Sequence, residues 1–481
     1  MTELNQKTTR AVLWSALDVF MRQGVQFIVM IVLARILTPQ DFGVIAILAL
    51  FVGVTNIFID SGFSSALIQR QETTRTDEST VFFFNIGMGA IVALLLCAAA
   101  PWIATVFKQP ALLHLTYFMA FNVFVNAFGS IHTTLLTREL NFKTLAKIGG
   151  ITSVLSGILA VILAIGGLGV WSLAGQTLAA GVITVNFLWI WHPWRPVRAF
   201  RFASLRLFFR FGGYLLAIGI VDTLHRNLYS VLIGTRYSMR DVGFYDRAQK
   251  TQLLPVNLIM SIIDRVAYPV FSAVASDKEK LARGFRKAQR LVMSVNIPLL
   301  IGMIVLAKPI VLTLFGEQWL PTVPVLQVLG LVGLMWPLHV LNINVLKAQG
   351  RSDLFFNIML IKKTVSISLT VAAGFHGVMA IAWAQVAASV FSFAVNAHYS
   401  KVFLNYGALR QLRDLLPYLA AAILAGLGMW LVSVLANVSY YIELILAALT
   451  GAALYLSACR VFHVDTISEI IVLLRKSNRP K

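Results

Sequence analysis

Apolar residues run through this chain in stretches of about twenty, broken by short polar or Gly/Pro-bearing connections, and a stretch of that length crosses a bilayer as one helix. The pattern predicts fourteen spans: 11–37, 42–68, 79–100, 111–136, 145–166, 170–192, 208–234, 243–273, 283–306, 320–346, 353–374, 378–401, 414–436 and 441–462. A re-entrant short pair would reduce the count to twelve or thirteen. The expected fold is an all-α membrane protein of two six-helix lobes followed by two C-terminal helices. The predicted parts are an N-lobe (1–192), a cytoplasmic interfacial elbow (193–207), a second lobe (208–402), spans thirteen and fourteen (403–463) and a cytoplasmic tail (464–481). In that tail Ile467, Ile470, Ile471 and Leu474 recur at helical spacing, which predicts an amphipathic helix lying on the membrane.

The polar exceptions inside the spans are more informative than the spans. Asp18 and Arg22 lie in the first, Asp222 and Arg226 in the seventh, each pair spaced i, i+4 and so on one helix face. His225 lies beside the second pair. Span two carries Asn56 and Asp60, span eight Asp264 and Arg265, and span eleven Lys362 and Lys363. Gln23, Gln26, Asn122, Asn126, His339, Asn342 and Asn344 complete the expected polar lining. A charge near the bilayer centre costs at least ~2.5–3.5 kcal/mol, so it turns toward protein or a watery cavity. As structural groups these residues would be buried ion pairs, with Arg265 and Lys362 snorkelling to the interface. As functional groups the cations would line a cavity for an anion, with the acids as charge partners or ion ligands. The spacing leaves both open.

The halves repeat. The turn after span one ends in Asp41-Phe42-Gly43 and the turn after span seven in Asp241-Val242-Gly243. Here Asp is expected to cap the next helix and Gly to permit a tight turn. A second echo sets Gly169-Val170-Trp171-Ser172-Leu173-Ala174 against Gly377-Val378-Met379-Ala380-Ile381-Ala382. Six spans per half bring both halves in from the same side, which makes a parallel repeat.

Composition agrees with membrane residence: 58% of the 481 residues are hydrophobic and 12% charged, against roughly 25% charged in soluble proteins. The net charge of +20 raises the question of nucleic acid. Lys and Arg instead collect in alternate short loops, the positive-inside pattern, which places both termini in the cytoplasm and favours anionic lipids. Residues 1–10 are polar and the following stretch is long enough to span, so no cleaved signal is expected. Cys97 and Cys459 both fall in apolar spans and predict neither a disulfide framework nor a metal site. No phosphate-binding loop, nucleophile elbow or His-Glu-x-x-His string occurs, and the loops are short, so neither a cofactor nor enzymatic chemistry is expected.

Residues Ala34-Arg35-Ile36-Leu37-Thr38-Pro39-Gln40-Asp41-Phe42-Gly43, followed by Asp60-Ser61-Gly62-Phe63-Ser64-Ser65-Ala66-Leu67-Ile68-Gln69, resemble the N-terminal signature of Wzx-type bacterial polysaccharide flippases. These belong to the multidrug/oligosaccharidyl-lipid/polysaccharide exporter superfamily, and the colanic-acid-exporter-like branch matches best. The resemblance covers essentially the whole chain. It implies a V-shaped inner-membrane transporter that moves undecaprenyl-diphosphate-linked oligosaccharide to the periplasmic leaflet by alternating access. It also implies a basic cavity, for which Arg22, Arg226, Arg265 and Lys362 are the candidates. Asp18, Asp60, Asp222, Asp264 and His225 are the partners or ion ligands, and coupling to protons, sodium or the membrane potential stays open. Further implied partners are membrane lipids, a polysaccharide polymerase and a chain-length regulator. A multidrug/cation antiporter is the runner-up; a membrane glycan polymerase or ligase, or a structural scaffold, is a more distant reading.

Overall fold

The computed structural model describes residues 23–60, 63–70, 73–275, 277–436 and 438–462. Among these every regular element is helical: α1 (Gln23–Ile36), α2 (Pro39–Asp60), α3 (Phe63–Gln69), α4 (Arg75–Val106), α5 (Ala111–Arg138), α6 (Phe142–Ile165), α7 (Val170–Trp191) and α8 (Phe202–Arg236) come first. Then follow α9 (Met239–Ala273), α10 (Lys278–Val305), α11 (Ala307–Leu314), a 3-10 turn (Glu317–Trp319), α12 (Thr322–Ala348), α13 (Ser352–Ala373), α14 (Val378–Leu404), α15 (Ala408–Leu435) and α16 (Tyr440–Val461). Eleven helices of the described residues are long and apolar enough to cross a membrane. α8 and α9 are long enough, but their charged residues, among them Asp222, Arg226, Asp246 and Arg247, lower their apolarity.

The sequence marks helix starts well because each orphan N-terminal N–H needs an acceptor. Thr38 and Asp41 form a reciprocal cap on α2: Thr38 N–H donates to Asp41 Oδ2 at 2.9 Å and Asp41 N–H to Thr38 Oγ1 at 3.3 Å. Ser238 and Asp241 repeat it on α9 at 3.2 and 3.1 Å. The first echo is therefore the same local structure in both halves, with Thr or Ser as the cap and Asp three residues on. Gly169 and Gly377 of the second echo precede α7 and α14 with φ of 51° and 109°, which favour glycine.

Gly43 and Gly243 depart from expectation. Both are helical rather than turn residues. The Met239 carbonyl oxygen occupies the place of a Gly43 Cβ, and the Pro39 carbonyl oxygen that of a Gly243 Cβ. The first turns of α2 and α9 thus touch backbone to backbone, as small residues allow in membranes.

The chain divides into two compact units, Met1–Gly243 and Phe244–Lys481. In the first, α8 packs against α2, α3 and α4, with Gly53 against Thr223 and Gly219 against Ile57. The repeat groups span seven with the second half while packing groups it with the first; sequence periodicity reports the one relation and not the other. Residues 192–201 form a strap held to α4: Trp194 is buried and donates to Glu78 at 2.7 Å, and the Arg201 N–H donates to Thr80. Helix α8 already begins at Phe202. The second predicted span is two helices, α2 ending at Asp60 and α3 starting at Phe63.

In the second unit α10, α12, α14, α15 and α16 share one core, including Met293, Leu338, Phe393, Leu415, Met429 and Tyr455. Span thirteen, α15, is joined to it by a polar network as well. Asn342 accepts from Gln411 Nε2 at 2.9 Å and from Ser400 at 2.5 Å, and donates to Gln411 Oε1 at 3.1 Å. The amphipathic tail of 464–481 lies outside the described residues.

Candidate functional site

The described residues of the first unit line an open cavity of about 350 Å³. Helix α5 supplies one wall through Asn126, Ser130, Thr133, Thr134 and Thr137, positions that recur every three or four residues and so share a face. Ser64 and Ile68 of α3 form a second wall and Asn56 of α2 a third. Ser64 and Ile68 belong to the stretch that follows Gly62, so the flippase-like signature lines a cavity. The lining side chains among the described residues are uncharged.

Hydroxyls inside a bilayer need partners, and the helix provides them. Thr134 Oγ1 donates to Ser130 O at 3.0 Å and lies 2.9 Å from Ser64 Oγ; Thr137 donates to Thr133 O at 2.8 Å. Asn126 donates to Asn122 O at 2.8 Å, and Asn85 donates to Ser130 Oγ at 3.3 Å. The donors are thus partly spent within the protein.

Of the four candidate cations, Arg22 lies outside the described residues, as do Asp18 and Gly62. Arg226 is described: its Nε meets Asp222 Oδ2 at 2.7 Å, and its side chain is 75% exposed. His225, between them on α8, is half-buried. Arg265 and Asp264 lie in α9 and Asp60 ends α2, but their side chains lie outside the described residues. Lys362 donates to Asn396 Oδ1 at 3.0 Å, and Asn396 is fully buried, so this lysine is tied into the second unit. Asp41 and Asp241 are engaged in helix caps. Asn342 is a buried network residue rather than cavity lining. No group of described His, Cys, Asp and Glu residues could hold a metal ion.

The sequence reading passed over Asp246, Arg247 and Lys250. Arg247 is 1% exposed, with its guanidinium 5.4 Å from the Phe315 ring and 5.3 Å from the Trp319 ring. Cation–π contact of this kind offsets part of the burial cost. Asp246 pairs with Lys250 at 2.8 Å. The i, i+4 spacing was visible, but it sits in the polar first turns of span eight and resembles a solvated helix end. The His132–His192 pair was also missed. Its Nδ1 atoms lie 3.1 Å apart, packed against Trp189 and Trp194. Sixty residues separate the two histidines, so no local spacing signals their contact.

Residues 32–324 match the polysaccharide biosynthesis protein family. The chain is 30% identical to the teichuronic acid biosynthesis protein TuaB of Bacillus subtilis, over 70% of this chain and 71% of that one. It is 28% identical to the lipopolysaccharide biosynthesis protein WzxC of Escherichia coli (77% and 76% covered) and 28% identical to the succinoglycan biosynthesis transport protein ExoT of Rhizobium meliloti (73% and 72%). Its fold is similar to that of the lipid II flippase MurJ in an inward closed conformation, with a TM-score of 0.77 at 16% identity over 95% of this chain and 100% of that one. An inward-facing multidrug resistance MATE family transporter of the MOP superfamily is similar at a TM-score of 0.62 and 16% identity, over 83% and 100%. At such identity these two likenesses concern the fold alone.

Proposed function

Because the chain belongs to the polysaccharide biosynthesis protein family, we propose that it carries an undecaprenyl-diphosphate-linked oligosaccharide from the cytoplasmic to the periplasmic leaflet by alternating access. The cargo is a repeat unit of capsule, exopolysaccharide or O-antigen. The protein acts as a carrier and makes or breaks no bond in it. Relatives named for teichuronic acid, lipopolysaccharide and succinoglycan support the cargo class, with one of them named as a transport protein.

Arg226 is the single observation that carries the binding step. An arginine within a span that remains 75% exposed beside its carboxylate partner has guanidinium surface left for a second anion. Its planar fork suits phosphate bidentately and stays charged. Asp222 keeps the cation compensated while no cargo is bound. An inside-negative potential favours outward movement of the anionic headgroup by about 2.3 kcal/mol per charge per 100 mV for full traversal. Exchange against protons or sodium at Asp18, Asp60 or Asp222 is the other energy source, and a dependence of flipping on either gradient would distinguish it.

The test is Arg226→Ala in cells. Surface polysaccharide is lost, protein level is unchanged, and the lipid-linked intermediate accumulates on the cytoplasmic side. Normal export at normal protein level overturns the role of Arg226.

A further inference from the structure

We propose that the cavity between α2, α3 and α5 is a subsite for one uncharged sugar ring of the cargo, separate from the cation that holds its diphosphate. The inference rests on the flippase reading and adds to it which part of the headgroup is recognised by which residues.

Four observations converge on the cavity. Its volume, about 350 Å³, lies at the small end of ligand sites, which run ~300–1,000 Å³. That suits a single ring rather than a whole repeat unit. Its described lining consists of five hydroxyls, two carboxamides and one isoleucine, with no charge among the described residues. A phosphate or an acidic sugar would call for a cation there. A neutral sugar instead presents hydroxyls that both donate and accept, as this lining does.

The polarity of each group can be read from its internal bonds. Thr133 and Thr137 spend their protons on the carbonyls of Gly129 and Thr133, so toward a sugar O–H group they act as acceptors. Ser130 accepts from Asn85, which leaves its own proton to donate to a ring hydroxyl. Ile68 supplies an apolar surface for the C–H face of the ring.

The location fits the order of events. The lining on α5 runs from Asn126 to Thr137, roughly 16 Å along the helix axis, and stops one residue short of Arg138. Arg138, Lys143 and Lys147 mark this end as the cytoplasmic one by the charge rule. A sugar attached on the cytoplasmic side would enter here first.

The test uses the full chain in nanodiscs of phosphatidylethanolamine and phosphatidylglycerol, with binding read by native mass spectrometry. The probes are undecaprenyl diphosphate and the same lipid carrying a single glucose, galactose or N-acetylglucosamine. At least one glycosylated probe is expected to bind roughly tenfold more tightly than the bare lipid, equal to about 1.4 kcal/mol. Ser130→Ala and Thr133→Val each remove a hydroxyl without adding volume, and Thr137→Val does so near the helix end. These variants are expected to lose most of the sugar preference while their affinity for the bare lipid diphosphate is unchanged. Absence of any preference in the unaltered protein, or full preference in all three variants, overturns the subsite and leaves the flippase reading standing. Failure of the unaltered protein to bind any lipid diphosphate overturns that reading, and the subsite with it.

Discussion

The carbonyl oxygen of Met239 fills the place where a side chain on Gly43 would begin, and Pro39 does the same to Gly243. The glycine Cα–H therefore points at a carbonyl across the crossing, the geometry of a weak Cα–H···O contact. Backbone cannot swing aside as a side chain can. Gly43→Ala and Gly243→Ala should each cost at least about 1–3 kcal/mol by overpacking. Thermal unfolding in detergent measures this. Because both changes push apart the same two helix starts, the double variant should cost less than the sum. Full additivity would mean that the two contacts are independent.

Asn342 predicts a second loss of stability. Its amide satisfies Gln411 and Ser400 at once, so Asn342→Leu leaves both polar groups buried without their partner. Each orphan costs about 1–3 kcal/mol. Lowered protein yield and earlier unfolding are expected, whereas pairing Asn342→Leu with Gln411→Leu should recover part of the loss.

The His132–His192 contact predicts asymmetry. With Nδ1 facing Nδ1, one ring donates and the other accepts. His192→Gln keeps a group able to do either and should be tolerated. His192→Phe strands the buried His132 Nδ1 and should lower the unfolding temperature by several degrees.

At Arg247 the prediction separates charge from shape. Arg247→Lys keeps the charge but loses the flat guanidinium set against Phe315 and Trp319. It should destabilise the second unit nearly as much as Arg247→Ala. Equal stability of Arg247→Lys and the parent would show that charge alone suffices.

Asp277 gives a pH dependence. It caps α10 by accepting from the Lys280 and Glu279 N–H groups at 3.0 and 3.1 Å, and the Lys280 backbone bond holds its carboxyl below the usual range. A folded value below the unfolded one of about 3.9 makes the cap's contribution fully present above that pH. It is lost as pH falls through the folded value. Asp277→Asn keeps a good cap and should flatten this acid limb of the unfolding profile.

Helix positions were legible in the sequence because apolar run length and cap chemistry are local. The Asp of each signature turn was rightly tied to the helix start, although Thr38 and Ser238 take the cap position itself. What Gly43 does was not legible, since its reason is a backbone two hundred residues away. The same holds for Asn342, which reads as lining until Gln411 is placed beside it. Asn126 was picked out from the sequence, but Ser130 and the α5 threonines were not: isolated hydroxyls in a span look like ordinary back-bonded residues. They gain meaning when α3 brings Ser64 against Thr134.

The Asn342–Gln411 bond also sets a timetable. Its partners are 69 residues apart, and at the usual pace of synthesis, 5–20 residues per second, Asn342 emerges roughly 3–14 s before Gln411. During that wait the amide in α12 has no Gln411 to meet. The second unit therefore closes only when α15 arrives, and a ribosome stalled between the two leaves a half-built bundle with a polar vacancy for quality control to find.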